Sequence, residues 1–516
     1  MNTRLFDRLG APGRPRGEAV VYAVPAARLT EIVGLLCLGG ARFVCMTACD
    51  ERAARGAFAE YWLFAPPEGA GFVELAVDLD PSDPRVPSVT EVCPAANWAE
   101  REAQDLLGVV PVGHPTPGRL IFNDDYPVGH FPLRKDAARI EYKGPTRNNK
   151  AFLAEGEAVH QIPVGPIHAG IIEPGHFRFS VQGERVLHLD ARLFYTHRGI
   201  EKAFEGKTHD LALQIAERVC GVCAWSHGLA FAHAAERAAG AEVPARARHL
   251  RVLLGEMERL YNHVGDVANI CAGTGFAVGT MHGLVVKERL QALNERLTGN
   301  RYLRGIVAVG GLRFDLPDAE VRALVVELSS VRQEFERLVG SLWASPAVFD
   351  RLQGTGVLRP EVVAALGVVG PSARASGSAV DFRRSHPYDA YGELPFDVAL
   401  EGGADVLARV RLRLTEVEQS FRLIGQVAES LPAGPVAVPV KALPGGVTGI
   451  GGCESPRGET IHWLRTAADG TIDRLRIRSA SYMNWPAVPT TVPGNIVPDF
   501  PLINKSFELC YSCTDR

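Results

Sequence analysis

Two stretches decide the reading of this chain: Glu217-Arg218-Val219-Cys220-Gly221-Val222-Cys223-Ala224-Trp225-Ser226-His227, and Phe507-Glu508-Leu509-Cys510-Tyr511-Ser512-Cys513-Thr514-Asp515-Arg516. Each carries a C-x-x-C pair, and each pair alone is a weak signal. Two thiolates separated by two residues grip one soft metal, and a four-thiolate site could hold zinc, iron or nickel. A zinc ribbon spaces its pairs by roughly 15 to 20 residues. Here nearly a whole domain intervenes, so a shared site would join that domain's two ends.

Between the pairs the chain is patterned for long helices. Ala245 to Cys271 keeps Leu250, Leu253, Met257, Leu260 and Val264 near a 3.6-residue spacing, and Ala319 to Trp343 and Val406 to Leu431 behave alike. Phe177 to Val181 and Arg185 to Leu189 read as short strands before them. Upstream the pattern is mixed: alternation at Glu18 to Val24 and at Gly71 to Asp78 predicts half-buried strands, while Ala26 to Cys37 and Asn97 to Leu107 suit helices. The polar, basic stretch Arg134 to Lys150 reads as an inter-domain linker. The expected organisation is an α+β domain over 1–140, a linker over 141–160, and a mainly α-helical domain over 161–516, with no internal repeat.

The 516 residues are 46% hydrophobic and 22% charged, with a formal net charge of −4, the composition of a globular protein. No basic stripe calls for nucleic acid. The longest apolar runs, such as Ile32 to Leu38, fall short of the roughly 20 residues that span a bilayer. No export signal is read at the start, so a cytoplasmic location is the default. Of the ten cysteines, Cys37, Cys45, Cys49, Cys93, Cys271 and Cys453 are scattered and expected to be small buried apolar residues.

Arg218, Cys220, Gly221, Cys223 and His227 fulfil R-x-C-G-x-C-x-x-x-H, which resembles the N-terminal signature of nickel-iron hydrogenase large subunits. C-x-x-C-x-x-R at Cys510 to Arg516 resembles its partner. The resemblance implies that Cys220, Cys223, Cys510 and Cys513 bind nickel, and that Cys223 and Cys513 also bridge to an iron carrying cyanide and carbon monoxide. His227, one helical turn after Cys223, is placed to orient a thiolate. Ile172 to Arg178 is similar to the segment whose glutamate, here Glu173, passes protons beside a terminal thiolate. Ser455 to Glu459 resembles the Pro-Arg-Gly segment that sets a guanidinium, here that of Arg457, over the metal pair, a task suited to a permanently charged fork of donors. His197 to Lys202 looks like the R-G-x-E motif, whose glutamate helps bind a structural metal near the C-terminus. Because the side chain of Arg516 cannot ligate, an ion pair between Glu201 and Arg516 is expected in place of magnesium.

Asn97 to Val109, His114-Pro115 and Asn123 to Asp136 form a long match that resembles the signature of the thirty-kilodalton subunit of respiratory complex I. No chemistry is assigned to it, and its charged residues are expected to dock neighbouring subunits. Such a domain fused to a hydrogenase-like large subunit, itself similar to the forty-nine-kilodalton subunit of complex I, resembles the formate hydrogenlyase architecture. The alternative is a nickel-free, quinone-linked subunit of that larger complex I type, or a zinc-stabilised scaffold. Against the quinone reading stand both intact cysteine pairs and Gly165 to Ile172, where Ile172 occupies the position of the quinone-site histidine.

The family's Asp-Pro before the last pair is Glu508-Leu509 here. Many relatives carry a C-terminal extension that is removed; either the numbering describes a matured form or no cleavage is needed. The chain has no further cysteine run for iron-sulfur clusters. These clusters are therefore expected only in partners: an iron-sulfur small subunit and a ferredoxin-like subunit. Integral membrane subunits would hold the assembly on the cytoplasmic face of the inner membrane, with H2 and protons as substrates.

Overall fold

The computed structural model describes residues 12–67, 69, 71–141, 152–168 and 172–516. Half of the expected linker, 142–151, lies outside the described residues.

The N-terminal domain is a five-stranded sheet of β1 (Arg14–Arg16), β2 (Ala19–Ala23), β3 (Arg42–Glu51), β4 (Ala57–Ala65) and β5 (Phe72–Leu79), in the order β1-β2-β5-β4-β3. The β2/β5 pair is parallel and the others are antiparallel. Helices α1 (Leu29–Leu38) and α2 (Asn97–Leu107) cover one face. Alternation predicted half-buried strands at β2 and β5; the central β4, which it did not predict, is buried along both faces. Phe58, Trp62 and Phe64 enter the core beneath α1 and α2, whereas Ala59, Tyr61, Leu63 and Ala65 join the core of the second domain. Period-two geometry thus sends one strand's residues into two cores, each buried aromatic contributing about 1.5–3 kcal/mol.

The second domain opens with a three-stranded antiparallel sheet: β6 (Val159–Val164), β7 (His176–Gln182) and β8 (Arg185–Arg192), ordered β8-β7-β6. Its longest helices are α3 (Ala224–Ala239), α4 (Ala245–Gly273), α5 (Ala277–Thr298), α6 (Asp318–Trp343) and α7 (Val406–Ser430). The 29-residue α4 is the central rod, about 43 Å long at 1.5 Å per residue, with 23 residues buried along it from Arg246 to Cys271. α5 comes close because Gly283 faces Ala268; a Cβ at Gly283 would sit 2.6 Å from the alanine methyl.

A second antiparallel sheet, β9 (Thr448–Ser455), β10 (Gly458–Thr466) and β11 (Ile472–Arg478), lies on the alanine-rich α3. Gly449 and Gly451 of β9 face the carbonyls of Ala234 and Ala230 too closely for any side chain to intervene. The chain then runs to α8 (Phe500–Phe507) and the short α9 (Tyr511–Asp515).

Several charged residues of the signature in the N-terminal domain are engaged within the chain, while Asp124, Lys135 and Asp136 remain exposed. Glu100 accepts the Val89 N–H at 2.7 Å, and Asp105 accepts those of Leu120 and Ile121 at 2.8 Å. Glu102 pairs with Arg476 and Arg516 of the second domain. Lys135 reaches Glu205 and Asp473 at 2.9 and 3.0 Å. Through Glu102 and Lys135 the signature also packs against the chain's own second domain. Of the six scattered cysteines five are buried; Cys37 is half-buried and shares a thiol hydrogen bond with Cys93. Among the described residues no helix is long and apolar enough to cross a membrane.

Candidate metal centre

The two C-x-x-C loops meet. The Sγ atoms of Cys220 and Cys510 lie 3.3 Å apart, and those of Cys220, Cys510 and Cys513 all fall within 4.8 Å of one another. Cys223 packs against Cys220 and Cys513. Cys220, Cys223 and Cys513 are buried, while Cys510 is half-buried. Shared hydrogen bonds from the other three thiols hold Cys220 far below the usual thiol range, and the same bonds push the three partners up. Four sulfurs gathered this closely in a buried site are a donor set that fits a soft metal.

The first loop is tied to α4. Tyr261 Oη and Asn262 Nδ2 donate to the carbonyl of Val222 at 2.7 and 2.9 Å. Cys223 is the N-cap of α3, and the buried carboxyl of Glu258 accepts from the N–H of Trp225 at 2.9 Å and from the N–H and hydroxyl of Ser226. The open end of the ligand-bearing helix is thereby satisfied from its neighbour.

The second loop is held differently. Cys510 Sγ caps α9 by accepting from the Cys513 N–H at 3.3 Å, while its own N–H donates to Ser481 Oγ at 3.0 Å. Ser479 Oγ donates to the Cys513 carbonyl at 2.8 Å. Asp515 accepts the N–H groups of Phe194 and Thr196 at 3.0 Å. Glu201 and Arg516 do pair, at 2.9 Å, and the same carboxylate takes Arg474 at 2.7 Å and the Ile477 N–H at 3.0 Å.

Each expected side chain can be located. The Glu173 carboxylate accepts from the Ser512 N–H at 2.9 Å and from the Ser512 hydroxyl, between the last two cysteines. Arg457 occupies the two-residue turn joining β9 to β10, buried, with its guanidinium on Asp266 and on Asn262 Oδ1 at 3.2 Å, in the field of Cys223 and Glu508. Glu508 is half-buried in a left-handed conformation, φ 51°, and desolvation of its carboxyl, reinforced by Asp266, pushes that group up to about 7. His227 Nε2 lies 3.4 Å from Sγ of Cys513, so the imidazole serves the opposite loop and not Cys223.

Sequence reasoning missed two residues. His462 of β10 places Nε2 3.1 Å from Nδ1 of His227. Burial lowers His227 to about 4 and depresses His462 as well, so both rings are neutral. The available signal was strand alternation, which sends every second residue after Gly458 to the α3 face, His462 among them. Asp266, on α4, holds both Arg457 and Arg413. It follows Asn262 by one helical turn and so shares its face.

Residues 22–143 match the family "Respiratory-chain NADH dehydrogenase, 30 Kd subunit", 198–267 the family "Nickel-dependent hydrogenase", and 274–445 with 442–516 the family "Respiratory-chain NADH dehydrogenase, 49 Kd subunit". The chain is 38% identical to formate hydrogenlyase subunit 5 of Escherichia coli strain K12 over 474 residues, 90% of this chain and 83% of that protein. It is 36% identical to hydrogenase-4 component G of the same organism over 476 residues, 90% and 82% of the two chains. Among solved structures, a chain of an archaeal respiratory membrane complex, the membrane-bound sulfane sulfur reductase, matches with a TM-score of 0.65 and 27% identity, over 70% of this chain and 99% of that one. By these matches the chain belongs to the family of hydrogenase large subunits of the membrane-associated, complex-I-related kind, with a domain of the thirty-kilodalton type fused ahead of one of the forty-nine-kilodalton type.

Proposed function

We propose that the chain is the catalytic large subunit of a multisubunit, membrane-associated nickel-iron hydrogenase that interconverts H2 with protons and electrons, working in the H2-evolving direction. The observation that carries this reading is the convergence of four cysteines from two loops nearly three hundred residues apart, with |i−j| of 290 between Cys220 and Cys510. Cys220, Cys223, Cys510 and Cys513 would hold the nickel, with Cys223 and Cys513 shared with an iron bearing cyanide and carbon monoxide. The bound pair supplies the redox centre at which H2 is formed or split.

The chain's own residues supply the rest. His227 presents Nε2 to Cys513 and can donate a hydrogen bond to its thiolate. Arg457, fixed by Asp266 and Asn262, brings a positive charge beside Cys223. Glu173, bonded to Ser512, stands at the second ligand loop, where a carboxylate accepts or returns a proton. The six remaining cysteines are scattered, so electrons would pass to an iron-sulfur small subunit and a ferredoxin-like subunit. Integral membrane subunits would hold the assembly peripherally on the cytoplasmic face of the inner membrane.

Elemental analysis tests the reading: about one nickel and one iron per chain are expected, the count of one binuclear site, with infrared bands of iron-bound cyanide and carbon monoxide. Stoichiometric zinc without nickel would support a scaffold, and absence of any metal with quinone-dependent turnover would support the nickel-free complex I type of subunit.

A further inference from the structure

Glu102 belongs to α2, inside the N-terminal domain's signature, and is 4% exposed. Both of its carboxylate oxygens lie 2.9 Å from Nη2 of Arg516, and one also takes Arg476 of β11. Arg516, itself 1% exposed, stacks its guanidinium 4.5 Å from the ring centre of Tyr482, and its backbone carbonyl accepts the Arg198 N–H at 2.7 Å. It follows Cys513 by three residues, at the end of the five-residue α9. A helix of one turn does not hold itself and takes its position from what its ends are fastened to. One end is Cys510; the other is Arg516.

The charges show what Glu102 does. Arg474, Arg476 and Arg516 share two carboxylates, Glu102 and Glu201, in a region closed to water. Without the Glu102 charge, three buried guanidiniums are left with one carboxylate, and burial of an uncompensated charge is strongly unfavourable. Arg474 and Arg476 are anchored within β11. The Arg516 guanidinium would keep only Glu201 and the Ile477 carbonyl as polar partners beyond its own helix, and its displacement would carry the Cys510–Cys513 loop with it.

We propose that Glu102 is a positioning residue of the metal centre: by neutralising Arg516 it makes the N-terminal domain part of the scaffold that holds Cys510 and Cys513. The inference rests on reading the four thiols as metal ligands. It gives the N-terminal domain a task inside this chain, beyond assembly, because the ligand loop is closed only when the two domains are docked.

The test uses the full-length chain as Glu102→Gln, Arg516→Gln and the double variant, with Glu102→Asp as the charge-retaining control. Two quantities are read: metal per chain, and, on metal-free protein, the rate at which iodoacetamide alkylates Cys510 and Cys513 relative to buried Cys453. Outer-shell partners of metal ligands typically govern about 10- to 100-fold in affinity. Glu102→Gln should therefore lose metal and raise the Cys510/Cys513 labelling rate at least about tenfold, while Glu102→Asp stays near the parent. Arg516→Gln leaves the N-terminal domain untouched and should give the same loosening, so the proposal stays testable if Glu102→Gln fails to fold. The double variant should be no worse than Arg516→Gln alone, since the Glu102 contact is already cut there. Labelling of Glu102→Gln indistinguishable from the parent, or additive effects in the double variant, overturns the proposal. A parent chain free of nickel sinks the hydrogenase reading but leaves the labelling comparison intact, so the two failures are separable.

Discussion

His462 stands behind His227 as His227 stands behind Cys513: Nε2 of His462 is 3.1 Å from Nδ1 of His227, whose Nε2 is 3.4 Å from the cysteine sulfur. Were Cys513 bound as a thiolate to metal, as proposed, it could only accept, so His227 would carry its proton on Nε2 and leave Nδ1 bare. His462 would then donate from its own Nε2. The polarity of the whole chain of groups would be set by the sulfur. Replacing His462 with Leu removes the donor that selects the His227 tautomer, and metal content or turnover should fall about 10- to 100-fold. Glutamine, whose amide N–H can stand in, should recover part of the loss. Equal behaviour of the Leu and Gln variants would show that His462 only fills space.

Glu173→Gln keeps a carbonyl acceptor for Ser512 but removes the titrating oxygen. Loss of a positioned acid/base costs about 10²- to 10⁴-fold, and H2 evolution and hydrogen/deuterium exchange should both drop by that order. Nickel per chain should not change. Near-normal turnover would return Glu173 to a structural role at the Ser512 turn and make Glu508 the preferred proton acceptor.

For Arg457→Lys the charge survives but the fork does not. An ammonium cannot bond Asp266 and Asn262 with one planar group and still face the thiols. Asp266 remains paired with Arg413 at 3.0 Å, so the fold should stand. Turnover should fall about 10²- to 10³-fold, the usual cost of one lost preorganised donor. Assaying turnover alongside nickel content checks this; a parallel loss of nickel would mean that Arg457 builds the site and does not act in it.

A pH effect is expected far from the cysteine cluster. Glu60, buried on β4 and bonded by the Trp62 indole, is pushed up to about 8 by burial, with the Glu100 charge adding to it. The folded chain keeps this proton between about pH 4.5 and 8 while the unfolded chain has released it. Stability is therefore complete below the unfolded value and is lost as pH rises through the folded one, at up to about 1.4 kcal/mol per unit. Glu60→Gln abolishes the titration, so its melting temperature should rise relative to the parent between about pH 5 and 8.5. Parallel curves would remove the buried acid from the account.

Much of this architecture could be read in advance because it is local. The helices expected from Ala245, Ala319 and Val406 onward are observed as Ala245–Gly273, Asp318–Trp343 and Val406–Ser430, since a 3.6-residue apolar stripe depends on neighbours in sequence. The C-x-x-C pairs were equally visible, and the Glu201–Arg516 pair followed from the inability of arginine to ligate. What could not be read was pairing at a distance. Nothing near Glu102 announces a partner 414 residues away, and an isolated glutamate in a helical signature looks like a solvated face. β4 itself was not predicted, and its double burial depends on what packs on each face from far along the chain. His462 escaped because its neighbour His227 is 235 residues away.

The sharing of β4 between two cores has a consequence during synthesis. Ala59, Tyr61, Leu63 and Ala65 leave the ribosome long before the helices and β11 that cover them, and Glu102 precedes Arg516 by 414 residues. At ordinary elongation rates of about 5–20 residues per second, the nascent sheet waits roughly 20 to 80 s with one apolar face bare and one carboxylate unmatched. Through that interval the chain carries an open, sticky surface, the kind of feature that attracts holding chaperones. Domain docking and closure of the Cys510–Cys513 loop thus arrive together, late in synthesis.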